Sequence, residues 1–415
     1  MWIIKRVWFV FLPVVVVGLV ACDGGFEDDA FVDDFDDPLS FEEDEFGEDE
    51  PFFDDGDEFD DEEGVAEDGE PELADRSYLD GFGAYVAEVV ERDGIAGAAV
   101  AVIEKGEVVL VEGFGYRDVE NGLPVTADTL FHIGSTNKSM TALMIATLVD
   151  EGVIGWDTPI VDVYPDFALS EEITFRHLLS MRSGIADEAE DDFDIDNGSA
   201  EDVLEYLYEI ELAAEPGEAF SYSNLSSSVA GYTAVMAAEA DGNGLYDGYA
   251  SLLQQQVLGP IGMETAVVRV SDAQQNPNYG KSYWEGPEEA EPEDYDGDPL
   301  APSGTVKASA AEMGLYIAMY LNDGVAPNGT RVVSAESMQV MFEPYLEDYA
   351  LGWENKMVDG VQVISHEGSF DNYLSIIGFV PEEGVGFVIL TNTAEAAEGL
   401  IDEGPSMLLD LYFGE

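Results

Sequence analysis

The sequence predicts an α+β fold (α/β in the broad sense): an antiparallel sheet built from both ends of the folded region, flanked by helices, with a mostly helical part between. Three observations predict it. Strand-like runs lie near residues 96–118 and recur beyond residue 360. The intervening stretch reads mainly as helices and loops, so one sheet must recruit strands from both ends. And 46% hydrophobic with 11% aromatic residues, in a chain of 415, supplies enough apolar surface for a large core.

The chain opens on "MWIIKRVWFVFLPVVVVGLVAC", residues 1–22. Lys5 and Arg6 precede an apolar run from Val7 to Ala21, and small residues close it. That is the layout of a secretory signal; an uncleaved anchor is the alternative, although a spanning helix needs about 20 apolar residues. Leu19-Val20-Ala21-Cys22 resembles the lipobox of bacterial lipoproteins. Cys22 is the single cysteine, so an intrachain disulfide is impossible. The expectation is export, lipid anchoring at Cys22, and a folded domain outside the cytoplasm that meets the membrane only through the lipid.

Residues 23–76 read as an acidic linker. Single Phe residues alternate irregularly with acids, and 28 of the chain's 90 acids fall in residues 23–75 with no Lys or Arg. Charge outweighs any apolar period, which predicts a disordered, extended spacer of roughly 40 Å root-mean-square span. A tethered interaction arm that binds a partner is the competing reading of this segment.

The acid excess continues into the remainder, with 62 acids against 12 bases once Lys5 and Arg6 are set aside. A nucleic-acid binder needs clustered Lys and Arg to displace counterions, so that class is excluded. Self-repulsion at this charge strains a compact state at low salt. Roughly molar salt shortens the screening length to about 3 Å, which points to a halophilic source, with an acidic protein of an ordinary organism as the alternative.

Residues 77–415 form the expected folded domain, with its sheet part at about 77–135 and 300–415 and its helical part at about 136–299. A helix is expected over 78–92. "AGAAVAVIEKGEVVLVEGFGYRD" then reads as two strands joined at Lys105-Gly106. "NKSMTALMIATLVDEG" is apolar around most of its circumference, which predicts a helix buried on most sides. Between 153 and 300, "TFRHLLSMRSGI", "SAEDVLEYLYEIE", "SSSVAGYTAVMAAEA" and "YDGYASLLQQQVLGPIGM" are helical, interrupted by acidic loops near 187–198 and 285–299. "SAAEMGLYIAMYLNDG" is a further helix, "GVQVISHEG", "YLSIIGFVP" and "GVGFVILTN" are successive strands, and a helix closes the chain.

Within "FHIGSTNKSM", Ser135 and Lys138 stand three residues apart at a helix start, hence on one face one turn apart. A serine hydroxyl needs a neighbouring base, and a lysine serves only if its ammonium is disfavoured. Burial in an apolar helix and the positive helix N-terminus both push in that direction. Further along, "FSYSNLSS" supplies Tyr222 and Asn224, and "ISHEGSF" supplies His366, Gly368 and Ser369, placed at the start of a turn between two C-terminal strands.

In this order, Ser-x-x-Lys, Tyr-x-Asn and His-x-Gly resemble the three active-site motifs of the serine β-lactamase and penicillin-binding-protein superfamily. The flanking stretches "TLFHIGSTNKSMTAL", "ITFRHLLSMRSGI", "VLGPIGMETA", "APSGTVKASAAEMGLYI" and "YALGWENKMVDGVQVISHEG" are similar to counterparts in the branch with class C β-lactamases, D,D-peptidases and related esterases. The resemblance covers about 78–415 and implies a β-lactamase/transpeptidase-like fold with no cofactor and no metal. It implies that Ser135 forms an acyl-enzyme with a small ester or peptide, or with cell-wall fragments. Lys138 and Tyr222, the latter as phenolate or proton relay, would take the serine proton, the neighbouring ammonium lowering the Tyr222 pKa. Asn224 would hydrogen-bond the substrate or Lys138. The backbone N–H groups of Ser135 and Ser369 would form an oxyanion hole, and Gly368 would keep the substrate's approach clear.

Bland readings stay open beside these. Tyr222 is otherwise a packing residue, Asn224 a helix cap and His366 a strand-end histidine, while His132 and His177 read as structural. "DDFDIDNG" (191–198) hints at a calcium loop, but Asn197 stands at the sharp-turn glycine position and no Glu follows at the last ligand position, so it reads as solvated acid. The third motif departs from the family pattern, with His366 for Lys and Glu367 for Thr or Ser. An anion there, unless protonated or turned away, would repel a carboxylate-bearing substrate and favour neutral esters or free amines. "SFDNY" also lacks the glycine many relatives carry, although Asn372 is a residue that can take the left-handed conformation. The reading is thus an exported serine hydrolase, esterase or D,D-peptidase-like, with a catalytically silent penicillin-binding-like protein as the alternative.

Overall fold

The computed structural model describes residues 76–195, 197–284, 299–358 and 360–414. The expected signal with Cys22, nearly all of the expected linker, and most of the second acidic loop lie outside the described residues. Within them, a first helix, α1 (Ser77–Asp93), stops at Gly94, whose left-handed backbone returns its N–H to Val90 O. Strands β1 (Gly97–Glu104) and β2 (Glu107–Asp118) follow as an antiparallel hairpin. Both turn residues, Lys105 and Gly106, have positive φ, which matches the right-handed twist of the flanking strands.

The other strands are β3 (Leu123–Pro124), β4 (Phe131–His132), β5 (Lys307–Ala308), β6 (Glu354–Val358), β7 (Val361–Phe370), β8 (Tyr373–Val380) and β9 (Val385–Thr391). Seven of the nine form one sheet in the order β3-β2-β1-β9-β8-β7-β6. Every pairing in it is antiparallel, and β1 lies against β9, from Ala98 opposite Thr391 to Glu104 opposite Val385. That contact joins the two ends of the folded region, as the sequence predicts.

Alternation along β1 supplies two cores. Ala98, Val100 and Val102 face α1 and the C-terminal helix Glu398–Phe413, packing with Phe82, Val86, Ile389 and Leu400. Ala99, Ala101 and Ile103 face the opposite way, into the larger helical layer, with Met313, Ile317 and Leu390. Both faces are covered, so β1 reads as an unbroken apolar run rather than a polar-apolar alternation. A fully buried Phe such as Phe82 contributes about 2 to 3 kcal/mol.

The helix after Ser135, α2 (Asn137–Asp150), is buried from Asn137 through Leu148, as its broad apolar face predicts. Some elements had no legible signal. Strand β6 is "ENKMV", half-exposed at the sheet edge, where charge protects an open strand and no two-residue period develops. Strands β4 and β5 are two residues each and exist only because Phe131 meets Ala308 and His132 meets Lys307 across the chain. Helix Ala335–Phe342 is also beyond the sequence reading.

Candidate active site

Gly134, Ser135 and Thr136 form a single tight turn that runs directly into α2. Gly134 has φ +51, and a Cβ there would lie 2.6 Å from Ser369 N. Only glycine lets the turn bearing Ser135 run this close to β7. Ser135 is partly exposed, whereas Lys138, one turn on, is 1% exposed.

The Lys138 ammonium donates to Ser135 Oγ at 2.9 Å, Asn224 Oδ1 at 2.7 Å and Ser303 O at 3.0 Å. Three acceptors account for all three of its N–H groups. Its Nζ also lies 4.8 Å from the centre of the Tyr222 ring. Burial lowers the Lys138 pKa to about 7, and the charge of Glu190 opposes that fall. A substantial fraction is therefore free amine near neutrality, already in contact with the hydroxyl it would deprotonate.

Tyr222 behaves oppositely to the sequence expectation. Desolvation in its packed surroundings pushes the phenol well up, a hydrogen bond from Ser135 draws it back only in part, and the charges of Glu354, Glu190 and Asp187 push it further. The anticipated lowering by Lys138 does not appear; desolvation dominates and the three carboxylates add to it. Tyr222 is a phenol at neutral pH, suited to relay a proton but not to begin as phenolate.

Asn224 is the first residue of helix Asn224–Ala237, and the cap is Ser223, whose hydroxyl accepts from Ser226 N. The capping reading of Asn224 thus passes to its neighbour. Its amide contacts Lys138 on one side and Glu190 on the other, with Nδ2 donating to Glu190 Oε1 at 2.6 Å.

His366 lies inside β7, not at the turn. It is buried, and its Nδ1 meets the backbone oxygen of Glu367 while Nε2 lies 2.9 Å from Tyr349 Oη. A carbonyl only accepts, so the proton sits on Nδ1 and Nε2 accepts from Tyr349. Burial, with Lys138 nearby, lowers the His366 pKa to about 4. The third motif therefore presents a neutral imidazole.

Two further expectations change. Strand alternation places His366 and Gly368 on the face of Ile364, toward the helical layer, and Glu367 on the face of Val363, toward the C-terminal helix. Burial above all, then the charges of Glu354 and of Asp402 in that helix, raise the Glu367 pKa. It is turned away from the site, so repulsion of a substrate carboxylate loses its basis. Gly368 matters for another reason than substrate access: a Cβ there would lie 2.1 Å from Ile133 O and 2.4 Å from Ser375 Oγ. Its lack of a side chain lets β7 close on the loop before Ser135. In the β7–β8 turn, positive φ falls on Asp371 rather than Asn372.

Tyr349 and Glu190 join the site without having been singled out in sequence. Tyr349 sits in "YALGW", whose family likeness marked the stretch but not the residue. Glu190 is one acid among many in the loop read as solvated charge, and nothing local distinguishes it. His132 stacks between Phe370 and Tyr373 at 4.7 and 4.8 Å, and His177 completes a capping box with Thr174, both structural positions. In the 191–198 loop, Asp194 accepts from the backbone and side chain of Asn197. Among the described residues no group of three or more His, Cys, Asp or Glu could hold a metal ion, and no helix is long and apolar enough to cross a membrane.

A family profile described as Beta-lactamase matches residues 82–410, which spans Ser135, Lys138, Tyr222 and His366. The chain belongs to the beta-lactamase family. Its relatives include an unguisins hydrolase of Aspergillus campestris, 27% identical over 75% of this chain and 61% of that protein. The protein flp of Staphylococcus aureus is 26% identical over 74% of this chain and 62% of its own length. The chain thus spans about three fifths of these curated relatives. Among solved structures, the octameric penicillin-binding protein homologue from Pyrococcus abyssi superposes with a TM-score of 0.70 at 25% identity, covering 81% of this chain and 78% of that one. The mixed fold with its antiparallel sheet and flanking helices is the one this neighbour shares.

Proposed function

We propose that this family member is a serine hydrolase that works through an acyl-enzyme on Ser135, with Lys138 as base and Tyr222 as proton relay. The observation that carries the reading is the 2.9 Å contact between Ser135 Oγ and the Lys138 Nζ, whose pKa burial lowers to about 7. Ser135 Oγ attacks the acyl carbon as its proton passes to the Lys138 amine. The bond to the leaving alcohol or amine breaks, and the proton, relayed by the Tyr222 phenol, leaves with it. Water then attacks the ester on Ser135 by the same route reversed. The closeness of Ser369 N to Gly134 supports an oxyanion hole from the Ser135 and Ser369 amides, each contributing about 3 to 4 kcal/mol.

The substrate class we propose is neutral esters or D-amino-acid-containing peptides, in esterase or D,D-peptidase-like chemistry. Neutral His366 in the third motif gives a substrate carboxylate no cation to meet at that position, which disfavours β-lactams and, equally, peptides ending in a free carboxylate, so neutral esters rank first. The names of the relatives, a hydrolase and a penicillin-binding protein homologue, are compatible with acyl chemistry of this kind. We place the enzyme outside the cell, tethered through Cys22, on the layout of residues 1–22 alone.

Intact-mass spectrometry in high salt tests the reaction. Wild type and Ser135→Ala are each incubated with a nitrophenyl ester, a penicillin and a D-alanyl peptide. Adduct or turnover in wild type and neither in the variant is expected, with the ester reacting ahead of the peptide and the penicillin. No product from folded wild type on any of the three would move the assignment to a silent binding protein.

A further inference from the structure

Glu190 ends a short turn (Asp187–Glu190) in a loop whose other described acids face solvent, yet its half-buried carboxylate is engaged on three sides. Oε2 accepts from Asn224 N at 3.1 Å and Leu225 N at 3.3 Å, the first two amides of helix Asn224–Ala237. Oε1 accepts from Asn224 Nδ2 at 2.6 Å. The other end of that amide accepts from Lys138 at 2.7 Å. A carboxylate only accepts and an ammonium only donates, so these partners admit one amide orientation. Turned by 180°, Asn224 would set its Nδ2 donor against the Lys138 donor and its Oδ1 against the carboxylate.

We propose that Glu190 is a positioning residue of this site, locking the Asn224 amide so that Oδ1 faces Lys138 and holds its amine against Ser135. The inference rests on the serine-hydrolase reading for its consequence, though not for its geometry. Two effects follow from one carboxylate. It preorganises the acceptor that fixes the Lys138 amine, and its negative charge favours the ammonium over the amine. The charged and titratable groups around Lys138 are Glu190, the Tyr222 phenol and neutral His366. Glu190 itself faces Lys138 and Asp187, and Tyr222 also feels Glu354 and Asp187.

The test uses full-length protein in high salt with 13Cε-labelled lysine, convenient because the chain has six lysines. The Lys138 resonance is assigned by its loss in Lys138→Met. Glu190→Gln, which keeps shape and removes charge, is expected to lower the Lys138 titration midpoint by about half a pH unit or more. The acid limb of Ser135 acylation by a nitrophenyl ester should move with it, while the plateau rate drops roughly tenfold to a hundredfold. Glu190→Asp keeps the charge but withdraws the acceptor, and should lower the rate with a smaller change in midpoint. An unmoved Lys138 midpoint in Glu190→Gln overturns the proposal, whether or not the rate falls. A shifted midpoint in protein that never acylates would instead uphold the positioning role and sink the hydrolase reading.

Discussion

Two motifs meet at this site from different kinds of backbone. Ser135 and Lys138 are carried by a turn and the first residues of α2, and their mutual placement follows from helical periodicity. His366, Glu367 and Gly368 lie within β7, where each successive side chain turns to the opposite face. The helical pair keeps its expected placement, with Lys138 Nζ 2.9 Å from Ser135 Oγ, and gains a lowered Lys138 pKa. On the strand, one residue becomes a neutral imidazole tied to Tyr349, the next is turned away, and the third serves packing. A local spacing defines chemistry when both partners ride one helix; on a strand, the neighbouring elements define it.

The largest effect that would sharpen this contrast comes from Lys138→Met, expected to slow acylation of Ser135 about a thousandfold. The same variant has a stability signature. The folded protein sheds the Lys138 proton near pH 7, whereas an unfolded lysine keeps it to about 10.4, so the unfolded state binds more protons across that interval. Stability therefore rises with pH from about 7 toward 10, and that slope should be missing in Lys138→Met when denaturant midpoints are compared at fixed salt. An identical slope would mean that Lys138 titrates normally.

Gly368→Ala should be next, through packing rather than chemistry. Its methyl would press on Ile133 O and Ser375 Oγ, and an overpacking cost of about 1 to 3 kcal/mol is expected in denaturant titrations. Unchanged stability with weakened substrate binding would restore the substrate-access role first read from the sequence. The smallest effect belongs to Glu367→Gln. With a raised carboxyl pKa the ionised form disfavours the fold at neutral pH, so the variant should be neutral or more stable by up to about 0.5 kcal/mol. Its preference between a neutral ester and a carboxylate-bearing penicillin should stay within about twofold of wild type. A large gain in penicillin reactivity would show that Glu367 reaches the site.

Much of the fold was legible because its strands and helices carry strong local patterns: the β1–β2 hairpin around Lys105-Gly106, the apolar runs of β8 and β9, and the buried α2. What escaped were elements without a local pattern, such as the polar edge strand β6 and the two-residue β4–β5 pairing. At the site, motif order brought Ser135, Lys138, Tyr222, Asn224 and His366 into view. Glu190 stayed hidden because one useful carboxylate looks like any other in a chain with 90 acids.

By itself the sequence determined which residues share a helix turn, which runs become strands, and which side chains are the candidates for nucleophile and base. Those properties depend on neighbours a few positions away. Tertiary structure alone decided that Lys138 is poised near pH 7, that Tyr222 stays a phenol, that His366 is neutral, and that Glu190 rather than another acid holds Asn224. Each of these depends on desolvation and on charges or hydrogen-bond partners from distant parts of the chain, gathered only when the sheet and the helical layer close around them.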